Sequence, residues 1–190
     1  MFKLIKFLFV LFLGVISCAC VNMVAVHELN TKASDFLRDG DVNAAISRLE
    51  ASIDLDWKIY ESRYNLASAY LLVGKAEKAL EQIEVAITLN KTEPIVFYTH
   101  AVAALRVADE LYVKKDESGK KVYTKFSSKE AELKAAKRYV ELLDACNRSF
   151  EKYMDLAPNA EDTQKIFELI NENKEKIAQK VEEFDIQYTE

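Results

Sequence analysis

The chain has 190 residues, a formal charge of −5 and a hydrophobic fraction of 50%. That supports one packed domain of ordinary size, and the acidic balance argues against nucleic acid, whose binding relies on basic patches. Three cysteines and two histidines form no metal site of recognisable ligand spacing, and nothing in the spacing supports a disulfide between Cys146 and Cys20.

Residues 1–17 read as a processing segment rather than part of the fold. Lys3 and Lys6 give a positive start, and Phe7 to Ile16 is an apolar run of ten residues broken only by Gly14. A helix that spans a bilayer needs about 20 residues. The run ends in Val15-Ile16-Ser17-Cys18, which is similar to the bacterial lipobox: two aliphatic residues, a small residue, then cysteine. The resemblance implies cleavage before Cys18, lipid on its sulfur and acylation of the new amino end, the several chains that stable anchoring takes. Cys20 is a competing acceptor, although Ser17 would then occupy the aliphatic position, and an uncleaved signal anchor is a third reading. Ala19 stands where Asp is the usual signal for inner-membrane retention. This leans the expected location towards the outer membrane, facing the periplasm; in a Gram-positive host it would be the outer face of the cell membrane. Residues 18–28 are expected to form a short tether.

From Val26 onward a period of 34 residues sets in. Ala33 falls on Ala67, Phe36 on Tyr70, Gly40 on Gly74, Ala45 on Ala79, Leu49 on Ile83, Ile53 on Ile87 and Leu55 on Leu89. In the second unit, Tyr64, Leu66, Ala67, Tyr70 and Leu71 predict one buried helical stripe, and Ala79, Leu80, Ile83, Ala86, Ile87 and Leu89 predict another. The alanines permit close helix approach, and Gly40 and Gly74 sit where the first helix must stop and the chain reverse. This period, with small residues and aromatics in register, resembles the tetratricopeptide repeat (TPR), a helix–turn–helix unit. The resemblance implies an all-α, TPR-like solenoid over residues 29–158 and a protein-binding scaffold. The chain departs from the family at Arg63, where a large aromatic is usual, and at Trp57 and Lys91, where proline is usual. Lys32 occupies a normally apolar position, as suits an end repeat with one wet face.

A third repeat begins at Pro94, a residue well tolerated in a first helical turn, with Phe97, Ala101 and Ala104 in the family's aromatic and small positions. The register then breaks. Residues 113–127 read as an insertion with Asp116-Glu117-Ser118-Gly119 as its turn. Tyr112 and Val113 mirror Val122 and Tyr123, which suggests a short β-hairpin; a charged, solvated loop is the alternative. Its lysines, Lys114, Lys115, Lys120, Lys121 and Lys125, read as a solvated run that could otherwise touch lipid headgroups or an acidic partner. Ser127 and Glu130 have capping-box spacing and open a long helix through Leu133, Ala136, Tyr139, Val140, Leu143, Cys146, Phe150, Tyr153, Met154 and Leu156, ended by Pro158. Its last part again resembles the second helix of a repeat, so the insertion interrupts the third unit. Residues 159–190 are expected to hold a capping helix and tail, with Ile166, Phe167, Ile170, Ile177 and Val181 on one face of a helix from about Glu161 to Phe184.

No catalytic constellation is visible. His27 and His100 fall on different repeats, and His100 reads as a satisfied core histidine. Cys146 reads as a small buried side chain. Gly40, Gly74 and Gly119 are turn residues rather than a phosphate loop, and Glu168, Glu172 and Glu175 lie on a wet helix face, not in a cleft.

In the TPR family the concave face is lined by the first helix of each repeat. Carried onto this chain, those positions are Asn30, Ser34 and Arg38; Tyr64, Asn65, Ser68 and Leu72; and Tyr98, Val102 and Arg106. Tyrosine and arginine dominate binding hot spots. Tyr64 and Tyr98 are expected side by side as anchors, with Asn65 offering amide hydrogen bonds to a peptide; the alternative is that both rings pack between helices. The family's carboxylate clamp uses lysine and asparagine at such positions, where Tyr64 and Ser68 stand here, which argues against a receptor for chaperone tails. The expected function is a lipid-anchored scaffold of the bacterial cell envelope, not an enzyme and without a cofactor, holding a peptide or helix of an envelope protein. The alternative is a structural lipoprotein that self-associates through its last two long helices.

Overall fold

The computed structural model describes residues 22–115 and 118–188. The expected signal segment 1–17, the lipid acceptor Cys18, Ala19, Cys20 and the Asp116-Glu117 half of the insertion's turn lie outside the described residues. Helix α1 spans 22–38. It is followed by α2 (Val42–Leu55), α3 (Tyr60–Leu72), α4 (Ala76–Leu89), α5 (Pro94–Tyr112), strands β1 (Val113–Lys115) and β2 (Lys121–Tyr123), α6 (Lys129–Leu156) and α7 (Thr163–Phe184). The helices pair in succession as α1/α2, α3/α4 and α5/α6, and α7 closes the array against α6. The fold is the all-α helix–turn–helix solenoid expected from the period. No described helix is long and apolar enough to cross a membrane.

Small residues at the crossings hold the pairs together. Ala33, Ala67 and Ala101, one period apart in the first helices, are each at most 1% exposed, and Ala45 and Ala79 in the second helices are fully buried. With no side chain beyond Cβ to separate them, the backbones approach closely, and the larger Leu49, Ile83 and Leu143 fill the space between pairs. The turns within the first two helix pairs repeat one device. Gly40 and Gly74 have φ of +83° and +70°. The next amide reaches back to close the helix, Asp41 N to Phe36 O at 2.8 Å and Lys75 N to Tyr70 O at 2.9 Å, while the glycine amides reach Leu37 O and Leu71 O at 3.2 Å. This is the Schellman closure, which requires a left-handed residue.

The structure differs from expectation at four places. The tether expected over 18–28 is helical from residue 22, and Val26 is buried. Val26 lies one period before Tyr60, the first residue of α3, so it already belongs to the repeat frame. The cap of α6 is Ser128, which accepts from Ala131 N at 3.1 Å, rather than Ser127. Ser128 holds the extended backbone of a capping residue (φ −158°, ψ 164°). Phe167 is exposed rather than on the buried face of α7; Ile166, Ile170 and Ile177 make that face, joined by Asn173. Finally, the third unit is enlarged as well as interrupted. Helices α5 and α6 have 19 and 28 residues against 13 and 14 in α3 and α4, and their extra turns pair with each other beyond the repeat.

The insertion forms the hairpin, with Val113 opposite Tyr123 and Lys114 opposite Val122. Its root is fixed by Thr124 N donating to Tyr112 O at 2.8 Å. The Tyr112 ring meets Phe126 and Tyr139 edge-on at 5.6 and 5.3 Å, and Lys180 of α7 lies 4.8 Å from the Tyr112 centroid.

An added Cβ at Gly74 would meet nothing within 4 Å, so a side chain there costs backbone strain alone. Gly74→Ala should lower unfolding free energy by about 1 kcal/mol at constant urea m-value, and Gly74→Asn by less.

Candidate functional site

The first helices α1, α3 and α5 are neighbours. Asn65 Nδ2 donates to Asn30 Oδ1 at 3.3 Å, joining α3 to α1, and Arg106 Nη1 donates to Leu71 O at 3.3 Å, joining α5 to α3. Both bonds link residues 35 apart, so the three helices lie side by side with equivalent positions in rows. The expected binding residues other than Asn65, which follows Tyr64, fall into three such rows: Asn30, Tyr64 and Tyr98; Ser34, Ser68 and Val102; Arg38, Leu72 and Arg106.

Exposure rises along these rows. All three members of the first row are half-buried. In the second, Ser34 is exposed while Ser68 and Val102 are half-buried. In the third, Arg38, Leu72 and Arg106 are all exposed, Leu72 by 68%. An apolar side chain this open, flanked on each neighbouring helix by a guanidinium, suits a partner segment that pairs apolar side chains with carboxylates. Arg38 also forms an ion pair with Asp35 one turn away.

The first row is used by the fold. The two hydrogens of Asn30 Nδ2 are shared among three acceptors, Val26 O at 3.0 Å, Ser52 Oγ at 2.9 Å and Ser62 Oγ at 2.8 Å, and the two serine hydroxyls bond each other at 2.8 Å. Ser52 and Ser62 are fully buried. This cluster ties α1 to the end of α2 and the start of α3, and it takes up the Asn65 amide that was expected to serve a peptide. Tyr98 is also diverted. Antiparallel pairing brings the last turns of α6 beside the first turn of α5, and the Tyr98 ring meets Phe150 and Tyr153 edge-on at 5.7 and 5.3 Å. The expected stacking of Tyr98 on Tyr64 gives way to this contact, and Tyr64 itself packs against the core. Sequence reasoning missed the Ser52–Ser62 pair because serine carries no periodic signal; two serines at buried-stripe positions were the only clue.

The titratable groups inside the array are held neutral. His100 is half-buried, with Nδ1 2.8 Å from Ser149 Oγ. Burial, and secondarily the nearby Arg148 charge, push its pKa down to about 4. Burial pushes the Cys146 thiol up to about 12, so it is no nucleophile. Tyr70 donates to Glu50 Oε1 at 2.7 Å and is likewise raised to about 12, chiefly by burial.

Solved TPR domains share this architecture. The first TPR of Spaghetti (RPAP3) bound to an HSP90 peptide has a TM-score of 0.57 at 16% identity, over 80% of this chain and 93% of that one. The Yersinia enterocolitica type III secretion chaperone SycD, in complex with a peptide of the translocator YopD, has a TM-score of 0.56 at 12% identity, over 79% and 92%. The Sgt2 TPR domain from Aspergillus fumigatus has a TM-score of 0.56 at 14% identity, over 87% and 86%. At these identities the likeness shows the fold, which is that of a TPR domain, and leaves function to the site. No family model matches the sequence, and no curated protein does.

Asn30→Ala should cost about 2 kcal/mol, the order expected when a partly buried donor leaves a hydrogen-bonded cluster, measured by urea unfolding. His100 binds a proton at pH 6.5 when unfolded but only near pH 4 when folded. The stability it permits is therefore complete above pH 6.5 and declines as pH falls towards 4, by about 3 kcal/mol in all. In His100→Gln that component of the acid destabilisation should vanish when unfolding curves across this window are compared.

Proposed function

We propose that this chain is a lipid-anchored scaffold of the bacterial cell envelope that holds a short segment of a partner protein across the first helices of its repeats. The observation that carries the reading is the exposed row of Arg38, Leu72 and Arg106 on three adjacent helices. It offers one apolar contact between two cations and fits an acidic peptide or helix with an apolar side chain among its carboxylates. That solved domains of the same fold are bound to peptides supports this mode of use. The anchor rests on the sequence: the lysines at 3 and 6, the apolar run to Ile16, and the lipobox-like approach to Cys18. Ala19 favours the outer membrane, on its periplasmic side.

Self-association through α6 and α7 is the weaker alternative. The apolar stripe of α7, Ile166, Ile170 and Ile177, is buried within the chain, with α7 packed on α6, which leaves Phe167 as that helix's exposed large apolar side chain.

The test is a photo-crosslinking side chain at Leu72 in the full chain, expressed in its own host, followed by mass spectrometry. One dominant envelope protein should be captured, and Arg38→Ala with Arg106→Ala should abolish capture while stability changes by no more than about 0.5 kcal/mol. Capture that is indifferent to both substitutions would remove the groove reading. An N-terminal peptide without lipid on Cys18 would remove the anchor.

A further inference from the structure

The alternation of the helices gives the solenoid two edges. The starts of α1, α3, α5 and α7 and the ends of α2, α4 and α6 share one of them. Asn30 of α1 bonds Ser52 near the end of α2 and Ser62 near the start of α3. The Tyr60 hydroxyl lies beside Asn90 and Glu93 in the next junction. Tyr98 meets Tyr153 at 5.3 Å, and Tyr153 donates to Asp162 Oδ1 at 3.1 Å in the last junction. The hairpin and Leu72 belong to the opposite edge.

Of the nine large apolar side chains left in solvent among the described residues, six lie at the first edge, Met23, Val24, Leu55, Trp57, Ile95 and Phe167, while Leu72 and the hairpin's Val122 and Tyr123 lie at the other. The six come from the start of α1 and from three separate helix junctions, so no single packing defect explains them. The same edge receives the N-terminal segment. Because α1 is helical from residue 22, only residues 19 to 21 separate it from Cys18, and fully extended they span at most about 14 Å. A domain held this close to an acyl anchor cannot stand clear of the headgroup layer. The edge that meets it carries a tryptophan, the residue type that sits by preference at headgroup depth with its ring in apolar surroundings and its N–H towards water.

We infer that the edge bearing Met23, Val24, Leu55, Trp57, Ile95 and Phe167 lies in the headgroup layer of a lipid bilayer, an inference that rests on the anchor at Cys18. The edge also carries Asp54, Asp56, Glu61, Glu93 and Glu161 beside Lys58, Arg63 and Lys91. Attraction to anionic lipid therefore does not drive the contact; insertion of apolar side chains next to a covalent anchor does, and a zwitterionic surface suffices. The three first helices then stand on the membrane by their starts, with the Arg38, Leu72 and Arg106 row and the hairpin at the far end.

Trp57 is the only tryptophan in the chain, so its fluorescence reports the edge directly. The full lipidated chain is placed in vesicles of phosphatidylethanolamine and phosphatidylcholine brominated near the top of the acyl chains, and vesicle association is scored separately by flotation. The expected result is flotation, a shift of Trp57 emission to shorter wavelength and loss of most of its intensity. The double variant Trp57→Phe, Leu72→Trp should float equally and keep unquenched, water-like emission. Floating protein with unquenched Trp57, or equal quenching at both positions, overturns the edge assignment alone. Protein that stays in the aqueous fraction overturns the anchor and the edge together.

Discussion

Every higher feature of this molecule depends on how closely its helices can approach. At the crossings the chain places alanine, and at equivalent positions it does so again 34 residues later. Because the spacing between backbones repeats, the helix axes repeat as well, and successive pairs stack with a constant offset. That offset puts equivalent residues of α1, α3 and α5 into rows and sorts helix starts and ends onto two edges. The rows and the edges are consequences of side-chain volume at buried positions that no ligand ever touches.

The third unit shows what happens when the constraint is kept but length is not. Helices α5 and α6 retain small residues where they cross, including Ala101, Ala104, Ala108 and Ala136, all fully buried. They nevertheless run past the repeat and end in a hairpin. The added turns must find their own apolar cover, and Tyr112, Phe126 and Tyr139 supply it with ring edges. The tail after α7 contributes from the other side. Asp185 takes the left-handed conformation (φ 48°), Ile186 N bonds Val181 O at 3.1 Å, and Tyr188 donates to Asp144 Oδ1 at 3.0 Å.

The repeat was legible because its signals are local and duplicated: an alanine at 33 vouches for one at 67, and a glycine at 40 for one at 74. The hairpin showed in the mirrored Tyr112-Val113 and Val122-Tyr123. Contacts that depend on a partner far along the chain were not legible. Nothing near Tyr98 announces that Phe150 and Tyr153 will face it, since that pairing follows from the length of the insertion between them. Phe167 matched the apolar pattern as well as Ile166 did, yet helical rotation carries it past the edge of the α6 interface. Asn30 looked like a groove residue because it occupies a groove position; its Ser52 and Ser62 partners lie on other helices. At the candidate site the positions were therefore readable and their relative openness was not, which moves the emphasis from Tyr64 and Tyr98 to Leu72 between its two arginines.

The cluster around Asn30 has one more consequence. An array of near-identical units risks accepting the wrong neighbour, since any first helix has roughly the right shape to sit on any pair. One period after Asn30, Ser52 and Ser62 stand Tyr64, Ala86 and Val96; the alanine and valine that replace the two serines have no side-chain group to accept the amide's hydrogen bonds. Docking α1 one unit too far along, or onto a second copy out of register, would bury the Asn30 amide against apolar surface. The polar contact thus acts as an address within a repetitive structure, marking where the array begins and keeping its units in order during assembly.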